Sequence, residues 1–307
     1  MLHESLKFPD KPITIIHHAA NCDHAAPPGS LSALEKCLAS KAAFIEIDVI
    51  PLADGSLALL HSQELEAQTD GRGKASQMKR GQIERLRYKL DGEVTDEKVG
   101  FLEAAIDLLA AYPKTRRLQL DLKPFAPLAP DFLHDFLAMI EPVVDRIQVT
   151  SVADWAIRSL AQSYPDLSLG FDPLLYIDLV EEEPRPQGIP PFRVGAYGLL
   201  DDHPLSSYRW GPFRDYFAAR ADALVAQAPR GCEWFIRAEI LKMALDSGFD
   251  WIDFLHQQGS TVDGWTIDVT QTDQIELAQL LVEQGIDKLT TDSPSVLATY
   301  LDATLIY

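Results

Sequence analysis

Three acidic side chains stand where β-rich runs of the sequence end. Glu46 and Asp48 alternate near the end of the apolar run Phe44 to Val49, and Asp121 ends the apolar run that begins at Leu118. Alternate residues of a strand point to the same face, so Glu46 and Asp48 share one side. Neighbouring carboxylates repel each other unless a cation lies between them, and oxygen-only ligands favour Mg²⁺ or Ca²⁺. This pattern predicts a divalent-cation site, with a solvated strand end as the plainer interpretation.

One lysine and three histidines accompany these carboxylates. Lys123 follows Asp121 by two residues and would face the same way, either to hold a phosphate oxygen or to form a simple surface ion pair. His17 and His18 end the first β-rich run, so alternation turns one imidazole toward the site and the other away. Imidazole transfers protons near neutral pH, and we predict that His17 and His61 act as acid and base. A structural role is the alternative for each histidine taken alone.

The sequence pattern predicts alternating strands and helices as the elements that position these side chains. Most intervals between the β-rich runs are long enough for a helical crossover, and eight such units make a (β/α)8 TIM barrel of the α/β class. The active sites of such barrels lie at the carboxyl ends of the strands. The eight predicted runs are Ile13 to His17, Phe44 to Val49, Leu118 to Lys123, Ile147 to Ser151, Leu167 to Asp172, Ala223 to Gln227, Val262 to Asp268 and Lys288 to Asp292.

A ninth run, Ser56 to His61, follows the second strand too closely for a crossover and must return as a β-hairpin. Asp54-Gly55 is a favoured two-residue turn, and centring the turn there pairs Asp48 with His61. Directly opposite residues share a face, so this register places His61 on the face that bears Glu46.

The stretch around residues 173–220 interrupts the alternation with prolines and the acidic run Glu181-Glu182-Glu183. We predict an inserted loop region beside the barrel mouth. Asp201-Asp202-His203 in this stretch is a rival metal cluster, but consecutive residues on regular backbone cannot all point at one ion.

Composition limits the classes of partner. The chain has 307 residues, 47% of them hydrophobic, which suits one domain over residues 1–307 with a sizeable core. Lys and Arg number 27 against 46 Asp and Glu, so the net charge of −19 disfavours nucleic acid. No stretch approaches the roughly 18 apolar residues of a transmembrane segment. Three widely spaced cysteines and the polar start of the sequence indicate a cytoplasmic protein.

Taken in order, these motifs resemble the glycerophosphodiester phosphodiesterase family, metal-dependent hydrolases on a TIM barrel of the phospholipase C-like phosphodiesterase superfamily. Ile15-Ile16-His17 resembles the strand with the first catalytic histidine, and Glu46-Ile47-Asp48 resembles the E-x-D metal strand. His61 follows at the family spacing. The other resembling segments are Leu120-Asp121-Leu122-Lys123, Val149-Thr150-Ser151, Trp265-Thr266, Gly285-Ile286-Asp287 and Thr291-Asp292-Ser293-Pro294.

The chain departs from the family pattern at two motifs. His17-His18-Ala19 stands where the family has His-Arg-Gly, which removes an arginine near phosphate and puts His18 in its place. Pro27-Pro28-Gly29-Ser30 replaces Pro-Glu-Asn-Thr and loses an acidic group. In addition, Asp121 is one methylene shorter than the usual glutamate.

The resemblance implies hydrolysis of a small-molecule phosphodiester, most directly a glycerophosphodiester to glycerol 3-phosphate and an alcohol. Glu46, Asp48 and Asp121 would hold Mg²⁺ or Ca²⁺, and His17 and His61 would be catalytic. Lys123 and His18 would face the substrate, and Trp265 would either pack in the core or lie against a choline-like head group. The alternatives are a sphingomyelinase D-like or lysophospholipid phosphodiesterase and a degenerate ligand-binding barrel. The oligomeric state stays open.

Overall fold

The computed structural model describes residues 13–21, 26–124, 126–177 and 212–301. At its centre eight parallel strands pair in the order β1, β2, β6, β7, β8, β9, β10, β11, and β11 pairs with β1 to close a barrel. These strands are Thr14–His17 (β1), Phe44–Pro51 (β2), Arg117–Leu122 (β6), Ile147–Ser151 (β7), Ser168–Phe171 (β8), Glu233–Arg237 (β9), Val262–Ile267 (β10) and Lys288–Thr291 (β11).

Helices connect the barrel strands and surround them, which gives the (β/α)8 TIM barrel that the alternating pattern predicts. None of the helices in the described ranges is long and apolar enough to cross a lipid bilayer. The helices are Leu31–Ala39 (α1), Arg80–Ile83 (α2), Leu102–Ala111 (α3), Pro130–Ile140 (α4), Asp154–Ser163 (α5), Phe213–Val225 (α6), Ala238–Asp246 (α7), Trp251–Gln257 (α8), Thr272–Glu283 (α9) and Pro294–Tyr300 (α10).

Strand alternation divides the barrel wall into an apolar outside and a polar inside. On β2, Ile45 and Ile47 belong to the main apolar core between barrel and helices, whereas Glu46 and Asp48 line the pocket at the barrel mouth. On β6, Leu120 belongs to the same apolar core. Because both faces of each strand are covered, apolar and polar residues alike are buried.

Deeper in the barrel, polar side chains form hydrogen bonds with one another. Glu233 Oε2 accepts hydrogen bonds from Gln148 Nε2 at 2.9 Å and from Lys288 Nζ at 2.7 Å. Thr290 Oγ1 donates to Asp263 Oδ1 at 2.9 Å. Burial and the charge of Glu233 raise the pKa of Asp263 to about 7. The barrel interior is therefore a hydrogen-bonded polar network and not an apolar plug.

The predicted hairpin after β2 exists, but its predicted register is wrong by one residue. Strand β3 (Leu57–Ala58) pairs antiparallel with β2, with Ile50 opposite Ala58. The loop contains three residues, because Leu52 N donates to Ser56 O and Gly55 adopts φ +82°. A three-residue loop with a left-handed residue is the next most common hairpin connection after the two-residue turn. The ladder also ends at Ala58, so His61 does not pair with Asp48.

A small lobe follows β3 and has its own apolar core. It contains α2 and a second hairpin of β4 (Arg87–Leu90) and β5 (Glu93–Lys98). Its core includes Leu60, Ile83 and Tyr88. Tyr88 Oη donates to Leu59 O at 2.6 Å and accepts from Gly100 N at 3.3 Å, which joins the two ends of the lobe.

One predicted barrel strand is misplaced. Residues 223–227, predicted as a strand, lie at the end of α6 and in the turn after it, and Glu233–Arg237 forms the strand instead. Helix α6 buries Phe217, Ala221 and Leu224, at the spacing of one helical face. The sequence pattern did not indicate β9 because the strand begins with a charged residue, Glu233, which is buried only through its ion pair with Lys288.

The predicted insertion around residues 173–220 is described only at its two ends. Leu174–Tyr176 forms a short 3₁₀ turn, and residues from Phe213 onward are helical, so the predicted loop extends too far at that end. Residues 178–211, which include the rival cluster Asp201-Asp202-His203, lie outside the described residues.

Candidate active site

A cavity of about 240 Å³ opens at the carboxyl ends of the barrel strands, where TIM barrels carry their active sites. Polar residues from seven barrel strands, or from the turns after them, meet there. The lining includes seven of the eight residues that the sequence singles out, among them His18, Glu46, Asp48, His61, Asp121 and Lys123. Trp265 lines it as well, and His17 does not.

The three carboxylates converge because β2 and β6 are paired in register. Asp48 lies opposite Asp121, and Glu46 lies two residues earlier on the same face. One carboxylate oxygen from each of the three residues lies within 4.8 Å of the other two. Glu46 and Asp48 are almost completely buried. The donor set consists of oxygen atoms alone, which fits a hard divalent cation such as Mg²⁺ or Ca²⁺.

The electrostatics of Glu46 also fit a cation. Burial and the neighbouring Asp48 raise the pKa of Glu46 to about 8. Part of the charge is met by Ala19 N, which donates to Glu46 Oε2 at 2.7 Å. A divalent cation would offset the repulsion from Asp48 and stabilise the charged form of the buried Glu46.

Lys123 bridges two of the carboxylates. It follows β6 directly, and its Nζ lies 3.0 Å from Asp48 Oδ1 and 2.7 Å from Asp121 Oδ2. Burial alone would lower the pKa of Lys123, but Asp121 and Asp48 outweigh it and raise the pKa above its ordinary value. A permanently charged ammonium group beside the carboxylates can hold an anionic substrate oxygen.

The two adjacent histidines point in opposite directions, and the prediction that His17 faces the mouth is wrong. His17 lies at the end of β1, and its Nδ1 is 3.2 Å from Asn21 O and 3.7 Å from Cys37 Sγ on α1, outside the barrel wall. His18 is the residue that lines the pocket. On β1, Ile16 points into the barrel, and His18, two residues later, points the same way.

Asp292 holds the His18 ring. His18 Nδ1 lies 2.7 Å from Asp292 Oδ1, at the end of β11. Burial alone would lower the pKa of His18, but the hydrogen bond to Asp292 and the charge of Glu46 raise it to about 9. An imidazole fixed through Nδ1 leaves Nε2 for the substrate.

His61 reaches the pocket by a different route from the predicted one. The chain leaves the β2–β3 ladder after Ala58, and Gln68 Oε1 then accepts from His61 N at 2.9 Å and from Ser62 N at 2.7 Å. The His61 ring lies at the open edge of the cavity with Nδ1 3.2 Å from Ser62 Oγ. Burial lowers the pKa of His61, with the charge of Lys123 contributing in the same direction.

The sequence analysis missed Asp172 and assigned no role to the side chain of Asp292. Asp172 also lines the cavity. Both residues end predicted strands, as Asp48 and Asp121 nearly do. That position was the available signal, because the carboxyl ends of all barrel strands meet at one mouth.

The fold and the site together define a class of protein. It is a TIM barrel whose mouth combines an acidic cluster, a lysine and two imidazoles. Such a mouth is equipped to bind a divalent cation and an anionic group and to move protons beside them.

Residues 19–167 match the model of the glycerophosphoryl diester phosphodiesterase family. The match covers a little under half of the chain and shows that this part is similar to that family. The matched range extends from the first residue after His18 to the start of β8, so it includes the carboxylate cluster, Lys123 and His61. Asp172, Trp265 and Asp292 lie beyond it.

Sequence relatives match over part of their length. The chain is 24% identical to glycerophosphodiester phosphodiesterase 1 of Mus musculus over 162 residues, which are 52% of this chain and 48% of the mouse protein. It is 30% identical to the Bos taurus protein of the same name over 105 residues, 33% of this chain and 31% of the relative. The match therefore spans half or less of the length of these curated relatives.

Solved structures match from end to end. A phosphodiesterase of Oleispira antarctica, in complex with the product sn-glycerol-3-phosphate, superimposes with a TM-score of 0.64 and 20% identity over 95% of this chain and 98% of the other. A putative glycerophosphoryl diester phosphodiesterase of Silicibacter pomeroyi gives a TM-score of 0.65 with 17% identity, over 96% of this chain and 95% of the other. At these identities the likeness is one of fold.

Proposed function

We propose that this protein is a phosphoric diester hydrolase that cleaves a glycerophosphodiester to glycerol 3-phosphate and an alcohol. The observation that carries this proposal is the convergence of the three carboxylates, Lys123, His18 and His61 on one cavity. The similarity of residues 19–167 to the glycerophosphoryl diester phosphodiesterase family and the product named for the Oleispira antarctica structure support the same substrate class. The product contains a phosphate group of the kind that Lys123 would hold.

Glu46, Asp48 and Asp121 are proposed to hold a divalent cation, Mg²⁺ or Ca²⁺. When bound, such an ion polarises phosphoryl oxygens and lowers the pKa of a coordinated water or hydroxyl. The oxygen donors suit both ions. Lys123 would keep Asp48 and Asp121 in place and hold a second phosphoryl oxygen as a point charge.

His18 and His61 are proposed to share proton transfer, so His18 takes the role that the sequence assigned to His17. The contact with Asp292 stabilises the protonated form of His18, which suits it to donate a proton to the leaving oxygen. The environment of His61 favours neutral imidazole, which suits it to accept a proton from the nucleophile. General acid or base catalysis typically contributes about 10²–10⁴-fold in rate.

Turnover of a panel of glycerophosphodiesters and lysophospholipids tests the proposal, with the protein stripped by a chelator and then resupplied with Mg²⁺ or Ca²⁺. We expect metal-dependent release of glycerol phosphate, lost in Asp121→Asn and retained in Asp246→Asn. Asp246 is an exposed acid at the end of α7 and makes the same change in charge. Preference for lysophospholipids would favour the sphingomyelinase D-like alternative. Binding of diesters without turnover of any would contradict the proposal and favour a degenerate barrel.

A further inference from the structure

The wall of the pocket formed by β8, β9 and β10 differs in chemistry from the acidic cluster on β2 and β6. These three strands are consecutive in the barrel and lie across it from β2. They bring Asp172, Phe235 and Trp265 to the cavity. The family match ends before all three residues, at residue 167.

Asp172 is fixed by backbone hydrogen bonds, and its charge has no ionic partner in the described part of the chain. Its N donates to Ser151 O at 3.1 Å, and its Oδ1 accepts from Leu174 N at 2.8 Å. Within the described ranges no lysine, arginine or histidine forms an ion pair with this carboxylate. Burial raises the pKa of Asp172 well above its ordinary value. The carboxylate would therefore be stabilised by a cation arriving with a ligand.

The charges around the cavity also call for a further cation. Four carboxylates line it, on Glu46, Asp48, Asp121 and Asp172, and the described lining residues include one lysine and no arginine. His18 also lines the cavity, but its positive charge is paired with Asp292. A divalent ion and Lys123 would offset three of these negative charges. A phosphodiester adds another negative charge, so a substrate with a positive group would be held better than an anionic one.

Two aromatic rings line the same cavity as Asp172. Gly170 precedes Asp172 by two residues on the same face of β8, and a Cβ at Gly170 would lie 2.4 Å from Phe235 Cε2. The Phe235 ring therefore packs directly on the β8 backbone, below the carboxylate. Trp265 gives the cavity a second ring. Aromatic rings that share a cavity with a carboxylate can bind ammonium and quaternary ammonium groups.

We propose that Asp172, Phe235 and Trp265 form a subsite for a cationic alcohol group of the diester, so that the protein selects zwitterionic glycerophosphodiesters over anionic ones. This inference rests on the proposed function and adds a specificity-determining residue, Asp172, to it.

The kinetic test compares kcat/KM for glycerophosphocholine and glycerophosphoglycerol in the metal-loaded wild type and in Asp172→Asn. The asparagine keeps the acceptor for Leu174 N and removes the charge. We expect kcat/KM for the choline diester to fall about tenfold or more, while that for the glycerol diester stays level or rises. Asp246→Asn, the remote control of equal charge change, should alter neither value. Parallel loss on both diesters would overturn the inference, because it would indicate a structural role for Asp172.

A binding test needs no turnover. Calorimetry of choline and of its uncharged isostere dimethylbutanol should show tighter binding of choline to the wild type, and Asp172→Asn and Phe235→Leu should each weaken this preference. Equal affinities of wild type and Asp172→Asn for choline would overturn the inference. A protein that binds choline in this way but hydrolyses no diester would contradict the proposed function alone.

Discussion

At the scale of single residues, the site depends on which of two adjacent imidazoles faces inward. His18 lines the cavity and contacts Asp292, whereas His17 packs toward α1. Strand alternation predicted that only one of the two would face the mouth, and the choice of His17 was wrong. Ile15 and Ile16 are both buried because both faces of β1 are covered. The hydrophobic pattern therefore does not show which residues of β1 point into the barrel.

Substitution of the two histidines should separate their roles. We expect His18→Ala to lower kcat by about 10²-fold or more through loss of proton transfer. His17→Ala should lower the thermal stability, because it leaves a gap beside Cys37, while the folded protein keeps a kcat within a few fold of wild type. Steady-state kinetics and thermal unfolding of both variants measure this. A larger loss of kcat in His17→Ala than in His18→Ala would contradict the assignment.

Asp292 should act through His18 as a positioning residue. Asp292→Asn removes the charge that favours the imidazolium, so the pKa of His18 falls. If His18 works as the acid, activity at high pH requires it to stay protonated, and the basic limb of the pH profile of kcat/KM should move to lower pH. Asp287→Asn is the control, since it alters a comparable pair, with His256 at 2.8 Å, away from the cavity. An unchanged basic limb in Asp292→Asn would refute the coupling.

At the scale of elements, the hairpin after β2 shows what local sequence determines. Asp54-Gly55 located the turn, and alternation located the inward carboxylates of β2. The loop length did not follow from those two residues, because both two-residue and three-residue loops accept a glycine with positive φ. His61 still reaches the cavity, held by Gln68 seven residues later, a contact that no pattern in the strand predicts.

Gly55→Ala tests the loop. Gly55 has φ +82° and open space around it, so the cost of alanine comes from the left-handed backbone alone and should be about 1 kcal/mol of unfolding free energy. Gly81→Ala in α2 is the matched control, because Gly81 lies in a helix and its φ is outside the left-handed region. Alanine there should leave the protein as stable or more stable. Denaturant unfolding of both variants measures the difference in unfolding free energy. Equal decreases in the two variants would show that a side chain at position 55 does not strain the loop.

At the scale of the whole molecule, the alternation of strands and helices was enough to predict the barrel, because each unit is marked by local patterns. The misplaced strand shows the limit. Glu233 on β9 can be buried because it accepts hydrogen bonds from Gln148 and Lys288, which are distant in sequence. A search for local runs of apolar residues does not detect a strand of this kind. The same limit applies to the site: the carboxylates were found because they end strands, while the partner of His18 lies 274 residues away.

A divalent cation should stabilise the entire protein if the carboxylate cluster holds it. Binding to the folded state alone adds about 2.7 kcal/mol when the ion is at a hundredfold excess over its Kd. We expect the Tm of the chelator-treated wild type to rise with added Ca²⁺ or Mg²⁺, and this rise to disappear in Glu46→Gln/Asp121→Asn. Asp246→Asn should keep the rise. A rise of equal size in the double variant would place the ion elsewhere.

The barrel closes between β1 and β2 through a single residue pair, His17 with Ile45, whereas β2 and β6 remain paired from Phe44 to Val49. At the barrel mouth, the hydrogen bond from Ala19 N to Glu46 Oε2 gives β1 and β2 a second connection. Glu46 thus belongs both to the closure of the barrel and to the cluster that would bind a cation. Cation binding and local opening of the β1–β2 contact would then be coupled. Deuterium uptake at the Ala19 amide would report whether the pocket holds a cation, without any substrate.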